Sequence, residues 1–317
     1  MYQSSDQPMA YDVIIIGAGP AGLACAIYAS RGNLKTLFID KGAPGGKITS
    51  TYKIENWPGD KSVAGYELAQ RMFDHAKEFG AQYKFGNVVD VVSHSEFKHE
   101  VILQQADQSQ LIYQAKAVVI ASGMVNRIPQ SVKGIVEFEN RGVSYCVICD
   151  GPFYKNMPAA IIGGGNSAFE EGIYLASIAS EVHIFVREAQ AIAEKITQDQ
   201  VAKTATIKVY YNSEVLELQG QKCLEKIKAR IGNETVEMPI KHLYPYIGFN
   251  PSTEFLKNLK LETKQGFLVV DQNLETNIKG IYAIGDVVNK TIRQIGTAVN
   301  DGTIVGKNLT NKIPSQS

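Results

Sequence analysis

Two glycine-rich turns, GAGPAG at 17–22 and GGGNSA at 163–168, each stand between an apolar, β-branched run and a helical stretch rich in small residues. A strand that enters a helix through so tight a turn opens a βαβ unit, and the apolar runs that follow, ending near Asp40 and Val186, supply the second strands. In the first unit Gly17 serves the tight turn, Gly19 lets backbone approach a pyrophosphate, and Gly22 lets the helix press on the strand. The helix N-terminus then faces the phosphates. Asp40 closes the second strand, where a carboxylate would accept hydrogen bonds from an adenosine ribose. In the second unit Gly163, Gly165 and Ala168 take the same three places, alanine being allowed at the last. The two units lie far apart in the chain, so they mark two domains and not the turns of a solenoid. The chain is therefore α/β, with two Rossmann-like nucleotide-binding folds.

The rest of the sequence fits around these units. GYELAQRMFDHAKEFG carries Leu68, Met72, Ala76 and Phe79 at helical spacing and reads as a helix with those residues in the core. The stretch from Val88 to Tyr113 alternates like a strand meander, and AVVIASG at 117–123 reads as a buried strand returning to the first sheet. Ile207–Glu237 reads as further strands, and LYPYIGFNPS as a crossing segment. Near the end, a strand stops at Gly285 and Asp286 before a helix bearing Ile295, Val299, Ile304 and Leu309. An acid there suits a ribityl or ribose hydroxyl; a helix N-cap is the alternative.

Composition narrows the function classes. At 317 residues, 44% hydrophobic and 20% charged, with zero formal net charge, the chain has no global field to draw it to nucleic acid or an anionic membrane. MYQSSDQPMA lacks the basic start and apolar core of a secretory signal, and no apolar run reaches the roughly 18 residues of a membrane span, so a cytoplasmic protein is expected.

CVICDG, from Cys146 to Gly151, sets two thiols three positions apart in a chain with only two other cysteines. A zinc site usually needs four Cys or His ligands, and the histidines at 75, 94, 99, 183 and 242 are scattered. A structural bridge over so short a loop would constrain the unfolded chain little. The spacing suits a readily exchanged disulfide whose thiolate is stabilised by the first turn of a helix. Asp150 repels a thiolate, yet stands where it could carry the proton of a leaving one; a loop-capping role is the alternative. Cys25 and Cys223 read as buried small hydrophobes. Two nucleotide folds and a dithiol make a circuit from nicotinamide through flavin to disulfide.

Together with these features, GGK (45–47), IENWPG (54–59), IASGM (120–124), RGVSYCVICDGPFY (141–154), IGGGNSAFEE (162–171) and YAIGDV (282–287) with Arg293 and Gln294 make the chain resemble the low-molecular-weight thioredoxin reductases from Tyr11 to Leu309. In the larger reductases similar to glutathione reductase, the pair lies in the flavin domain with wider spacing and a C-terminal histidine base, and this chain has neither. The resemblance implies a discontinuous FAD domain, 1–125 and 249–317, into which a nicotinamide domain, 126–248, is inserted with the dithiol. It places FAD on Gly17, Gly19, Pro20, Ala21 and Gly22, on Asp40, Gly46, Lys47 and Asn56, on Ala121 and Gly123, and on Gly285, Asp286, Arg293 and Gln294. It places NADPH, or NADH, on Gly163, Gly165, Asn166, Ser167 and Ala168, with Arg187 and Glu188 at the ribose. The implied catalytic residues are Cys149, nearer the flavin, Cys146, which attacks the disulfide of thioredoxin, and Asp150, which manages the proton. A homodimer and a hinge rotation about 126–129 and 247–250 are implied as well.

Two departures bear on mechanism. Where the family has a basic cluster, this chain reads Val186, Arg187, Glu188 and Ile192, which weakens the preference for NADPH and favours the ribose diol of NADH. Glu188 turned away while Arg187 and His183 hold the phosphate is the alternative. The family's glutamine after the double glycine is Lys47, a cation that could shift the flavin potential. Two other readings stand beside the reductase: a relative fed by another donor such as ferredoxin, and a flavin-binding regulatory protein without electron input. The intact dithiol speaks against the second.

Overall fold

The computed structural model describes residues 10–313 apart from 52 and 106, so the opening residues read for a signal lie almost wholly outside the described residues. The chain divides into two compact units, Met1–Val125 with Asn250–Ser317, and Asn126–Phe249.

The first unit opens with β1 (Ala10–Ile16), α1 (Pro20–Arg31) and β2 (Thr36–Asp40), then α2 (Gly65–Glu78), β3 (Gln82–Phe85) and a meander of β4 (Asn87–Ser95), β5 (Lys98–Gln104) and β6 (Gln110–Ile120). β1 lies parallel to both β2 and β6, with Ile14 opposite Leu37 and Val118. β6 is long enough to serve twice, pairing antiparallel with β5 through its first half and parallel with β1 through its second. Buried on both faces, β1 runs apolar from Val13 to Ile16, as a central parallel strand does, and its one buried charge, Asp12, pairs with Lys116 at 2.8 Å.

β7 (Met124–Asn126) leads into the second unit, which holds the one-turn helix α3 (Val147–Asp150), then β8 (Ala159–Ile162), α4 (Asn166–Ala176), β9 (Val182–Phe185), α5 (Lys195–Lys203) and β10 (Ile207–Tyr210). A three-stranded antiparallel sheet follows, β11 (Ser213–Gln219), β12 (Lys226–Ile231) and β13 (Glu234–Met238), and then β14 (His242–Pro245). β14 completes the parallel sheet β10-β9-β8-β14, so the segment read as a crossing opens, through Pro245, as a core strand.

β15 (Phe249–Pro251) carries the chain back to the first unit, where a short hairpin, β16 (Thr263–Lys264) and β17 (Phe267–Leu268), precedes β18 (Ile281–Ala283) and α6 (Ile295–Lys312). β18 adds to the first sheet against β6. α6 buries Ala298, Asp301, Gly302, Val305, Gly306 and Leu309, so of the four apolar residues marking it in the sequence only Leu309 is fully buried. Glycine sets that face. A Cβ on Gly302 would lie 2.2 Å from the Ala21 carbonyl oxygen of α1, a backbone approach that no side chain permits.

Two further expectations are corrected. On α2, Leu68 and Ala76 are buried and Met72 packs against the core, but Phe79 is 38% exposed. It caps the helix C-terminus, flanked by the His75 ring and the Arg31 guanidinium, where the helix has run past the core. Cys25 is buried as expected, and burial raises its pKa. Cys223 is exposed, because it sits in the turn between β11 and β12. Among the described residues no helix is long and apolar enough to cross a membrane.

Candidate active site

In the first unit Gly17 has φ +113°, and a Cβ there would lie 2.3 Å from the carbonyl oxygen of Ala121. A Cβ on Gly22 would lie 2.0 Å from the Gly17 oxygen. The nearest neighbour of a Cβ on Gly19 would be 4.0 Å away, so its turn is open. Two glycines are thus required by the protein itself, and the third leaves room beside the start of α1. Gly19 caps that helix without a side-chain bond and Pro20 occupies its first turn, so unclaimed amides face the opening. Ala21 instead packs inward, 2.9 Å from where a Cβ on Gly285 would stand.

Asp40 is more occupied than a free ribose ligand would be. Its Oδ2 accepts the Ala18 N–H at 2.7 Å and its Oδ1 the Gly42 N–H at 2.8 Å, which locks the turn and leaves one lone pair on each oxygen. Gly45 and Gly46 both take positive φ, and Gly45 donates to the Ala18 oxygen at 2.7 Å, which holds the next loop over the same turn. Gly123, also at positive φ, has open space where a side chain would be.

Asp286 lies in the 3-10 turn after β18, with Oδ1 buried and without a hydrogen-bond partner. Burial raises its pKa, while Lys290, Arg293 and Lys47 pull it down. Such an orphan acceptor costs about 1–3 kcal/mol unless a ligand hydroxyl meets it. Asp286 is not the cap of α6: Gln294 is, in a capping box with Thr297. Gln294 also accepts from the Asn56 amide at 3.1 Å, which joins two residues far apart in sequence. Arg293 donates to the Asp286 and Val288 carbonyls and lies 4.1 Å from the Phe267 ring centre. Lys47 is solvent-accessible as a residue, yet crowding by protein brings its ammonium down to about 8, and Asp286 opposes the shift. An open phosphate turn and an orphaned carboxylate fit a dinucleotide with a polyol arm.

The second unit repeats the pattern. Gly163 has φ +146°, and a Cβ on it would lie 2.3 Å from the Tyr246 oxygen; Gly165 has open space, and Ala168 is fully buried against the turn. Of the other residues expected at the nicotinamide dinucleotide, Asn166, Arg187 and Glu188 are engaged with the protein. Asn166 accepts the Glu194 N–H at 2.6 Å and donates to its carboxylate, which fixes the loop before α5. Arg187 and Glu188 are both exposed and pair with each other, 2.8 Å apart at closest approach. His183 is buried inside the sheet, 3.0 Å from the Tyr210 hydroxyl and 3.2 Å from Glu181, and burial lowers its pKa. It is not free to share a phosphate with Arg187, so that alternative is set aside.

Cys146 and Cys149 form a disulfide, their Cα atoms 5.3 Å apart. Cys146 caps α3, its Sγ accepting the Cys149 N–H at 3.2 Å. At the other end of this turn Asp150 accepts the Ser144 hydroxyl, and the Ser144 oxygen accepts the Cys146 N–H at 3.1 Å. The carboxyl is thereby tied to the dithiol backbone through one serine, a link that sequence reasoning missed. Ser144 and Asp150 line a cavity of about 180 Å³ with Phe153, Tyr154 and His242. Tyr244 is fully buried on β14, and burial, with smaller contributions from Asp150, Tyr154 and Glu171 of α4, raises its pKa. Burial and the neighbouring Glu170 raise Glu171 to about 7. Its EE doublet was visible in the sequence; the histidine and tyrosine of β14 left no motif. Among the described residues no cluster of three or more His, Cys, Asp or Glu could hold a metal ion.

The sequence pattern of the pyridine nucleotide-disulphide oxidoreductases matches residues 11–302. A thioredoxin reductase of Mycoplasmopsis pulmonis is 52% identical over 96% of this chain and 97% of its own length. One from Listeria monocytogenes is 40% identical over 94% and 92%. The solved thioredoxin reductase of Lactococcus lactis superposes with a TM-score of 0.89 at 34% identity, covering 96% of this chain and all of that one.

Proposed function

The chain belongs to the pyridine nucleotide-disulphide oxidoreductases, among the thioredoxin reductases, and from that premise we propose that it reduces the disulfide of a thioredoxin-like protein with electrons from NADPH or NADH. The observation that carries the reading is the exchangeable disulfide Cys146–Cys149, built on a one-turn helix in the unit that also holds the second dinucleotide turn.

In this reading FAD lies in the first unit and, when bound, supplies a two-electron acceptor between nicotinamide and disulfide. Gly19 and the first turn of α1 take its pyrophosphate, with Pro20 and Ala21 shaping that turn. Asp40 offers its remaining lone pairs to the adenosine ribose, and the buried Asp286 oxygen takes a ribityl hydroxyl. Gly46, Lys47, Asn56, Gly123, Arg293 and Gln294 line the remainder. In the second unit, Gly165, Asn166 and Ser167 receive the pyrophosphate of the donor.

The dithiol does the chemistry that belongs to the chain itself. When the electron pair reaches Cys149, the bond to Cys146 breaks and Cys146 is released as a thiolate. Cys146 attacks the partner's disulfide, forming one S–S bond and breaking another, and Cys149 then displaces the partner by closing on Cys146. The net change needs one hydride and one proton, and Asp150, held by Ser144, carries the proton. The homodimer implied by the resemblance, and a cytoplasmic setting, belong to the same proposal.

The test is anaerobic mixing of the yellow holoenzyme with NADPH and NADH separately, followed by turnover with thioredoxin. Flavin bleaching by at least one of them, and loss of turnover in Cys149→Ser with bleaching retained, is the expected result. A protein that takes up no FAD, or a Cys149→Ser variant with full turnover, would refute it.

A further inference from the structure

Asp301 is an acid in the interior of α6, on the face that packs inward, and it is 7% exposed. Aspartate is a poor helix former, and a buried carboxylate is costly unless its charge is paired and its oxygens are hydrogen-bonded. Two donors meet it on one oxygen. Oδ2 accepts the Lys290 ammonium at 2.6 Å and the Gly285 N–H at 2.9 Å, and the lysine side chain is itself mostly buried.

The amide is the informative partner. At the end of β18 the Ile284 N–H still donates to the Ile120 carbonyl of the sheet, at 2.9 Å, and the next amide, that of Gly285, turns to Asp301 instead. Gly285 has φ +74°, and a Cβ on it would lie 2.9 Å from that of Ala21. Gly302, next to Asp301, presses on the Ala21 carbonyl oxygen. Asp301 therefore stands where three elements meet: the first turn of α1, the turn after β18 that carries Asp286, and α6. Lys290 serves two acids there. Burial is the largest influence on Asp286 and raises its pKa; Lys290 is the foremost cation opposing that rise, and the charge of Asp301 acts with burial.

We infer that Asp301 is a positioning residue for the ribityl chain of the flavin: by holding the Gly285 amide from α6 it fixes the turn that presents Asp286, and Lys290 neutralises it so that its charge does not disturb that acid. The inference rests on the reading that Asp286 takes a ribityl hydroxyl of FAD. In that same reading the ADP half of the cofactor meets Gly19, Asp40 and the start of α1, so the clamp governs the flavin half and leaves the ADP half alone.

The experiment titrates the full-length apoprotein with FAD, read by quenching of flavin fluorescence, and separately with ADP, read by calorimetry. Asp301→Ala is expected to weaken FAD binding about tenfold, the loss of one charged hydrogen bond, and to leave ADP binding unchanged. Asp301→Asn keeps an acceptor for the amide and needs no counter-ion, so it retains FAD. Lys290→Met leaves the carboxylate without its cation and weakens FAD binding, and adding Asp301→Asn restores it. In an Asp286→Ala background Asp301→Ala costs no further affinity, because it acts through Asp286. If Asp301→Ala weakens FAD and ADP alike, or costs as much FAD affinity beside Asp286→Ala as alone, Asp301 supports only the fold; the inference is then wrong and the Asp286 reading survives. If Asp286→Ala binds FAD at full strength, both fall. Should Asp301→Ala not fold, the lysine variant decides: FAD binding undiminished in Lys290→Met, or a loss that Asp301→Asn does not restore, overturns the inference.

Discussion

Glu188 shows how one side chain can set a preference that a whole fold leaves open. In the proposed reading Arg187 is the cation left to meet a 2′-phosphate, and Glu188 holds it in a pair 2.8 Å long, with both side chains more than half exposed. As a stability element such a pair is worth little. As a specificity element it matters more, since a 2′-phosphate must take the guanidinium from a carboxylate and tolerate that carboxylate's charge. Glu188→Ala should therefore raise kcat/KM for NADPH relative to NADH by about tenfold, the worth of one charge-assisted contact of about 1.5–3 kcal/mol less screening. Steady-state kinetics with both donors checks it, and an unchanged ratio would show that Arg187 never meets the phosphate. At this scale the sequence is readable where backbone geometry dictates the residue. Gly17, Gly22 and Gly163 are glycine because nothing else fits, and so they announce their sites. Ser144, His242 and Tyr244 do not, because any polar residue could stand there until strand pairing joins them. Cys223 misled for a related reason: cysteine's general tendency to be buried says nothing about a turn.

Helices transmit local packing to the site. α1 begins at the phosphate turn, and α6 presses on it through glycines whose would-be Cβ atoms strike Ala21 and Cys25 backbone. Gly302→Ala should force the helices apart at a cost of about 1–3 kcal/mol and, by tilting the start of α1, weaken flavin retention together with stability. Flavin released on dilution, read by fluorescence beside the melting temperature, distinguishes this from loss of stability alone. On α4 the relevant change is electrostatic. Glu171 is raised to about 7 by burial, above its value in the unfolded chain. Between the two values the folded state holds a proton that the unfolded state has lost, so stability falls as pH climbs from about 4.5 to about 7 and is level beyond. Glu171→Gln should flatten that decline and stabilise the protein by about 1–3 kcal/mol at pH 8, as melting curves from pH 5 to 8 would show; parallel curves for the two proteins would rule it out. Most helices and strands were legible from period alone, β14 excepted, whereas buried faces were legible on α2 but not on α6. The pattern Ile295, Val299, Ile304 marks α6 as a helix, but its buried stripe is set by the glycines.

For the molecule as a whole, the decisive fact is that the second unit is one unbroken stretch, 126–249, inserted between the two pieces of the first. Each unit encloses apolar clusters of its own: Val13, Leu23, Phe38 and Val305 in the first, Val147, Phe169, Ile184 and Tyr244 in the second. Two nucleotide turns, each repeated with its own sheet, made that division visible in the sequence, while the residue at which one unit yields to the other carries no marker. Units with separate cores and separate ligands should not melt as one two-state body. Calorimetry of the apoprotein is expected to resolve two transitions, with FAD raising one and NADP⁺ or NAD⁺ the other. A ligand at 100 times its dissociation constant adds about 2.7 kcal/mol to the unit that binds it and nothing to the unit that does not. The inserted stretch should also fold alone and keep its disulfide, because its apolar clusters are built from its own residues, whereas 1–125 should remain unfolded without 250–317 to supply β18 and α6. A single transition that both ligands shift equally, or an isolated 126–249 without cooperative melting, would mean that the two folds share one stability and that their independence is only geometric.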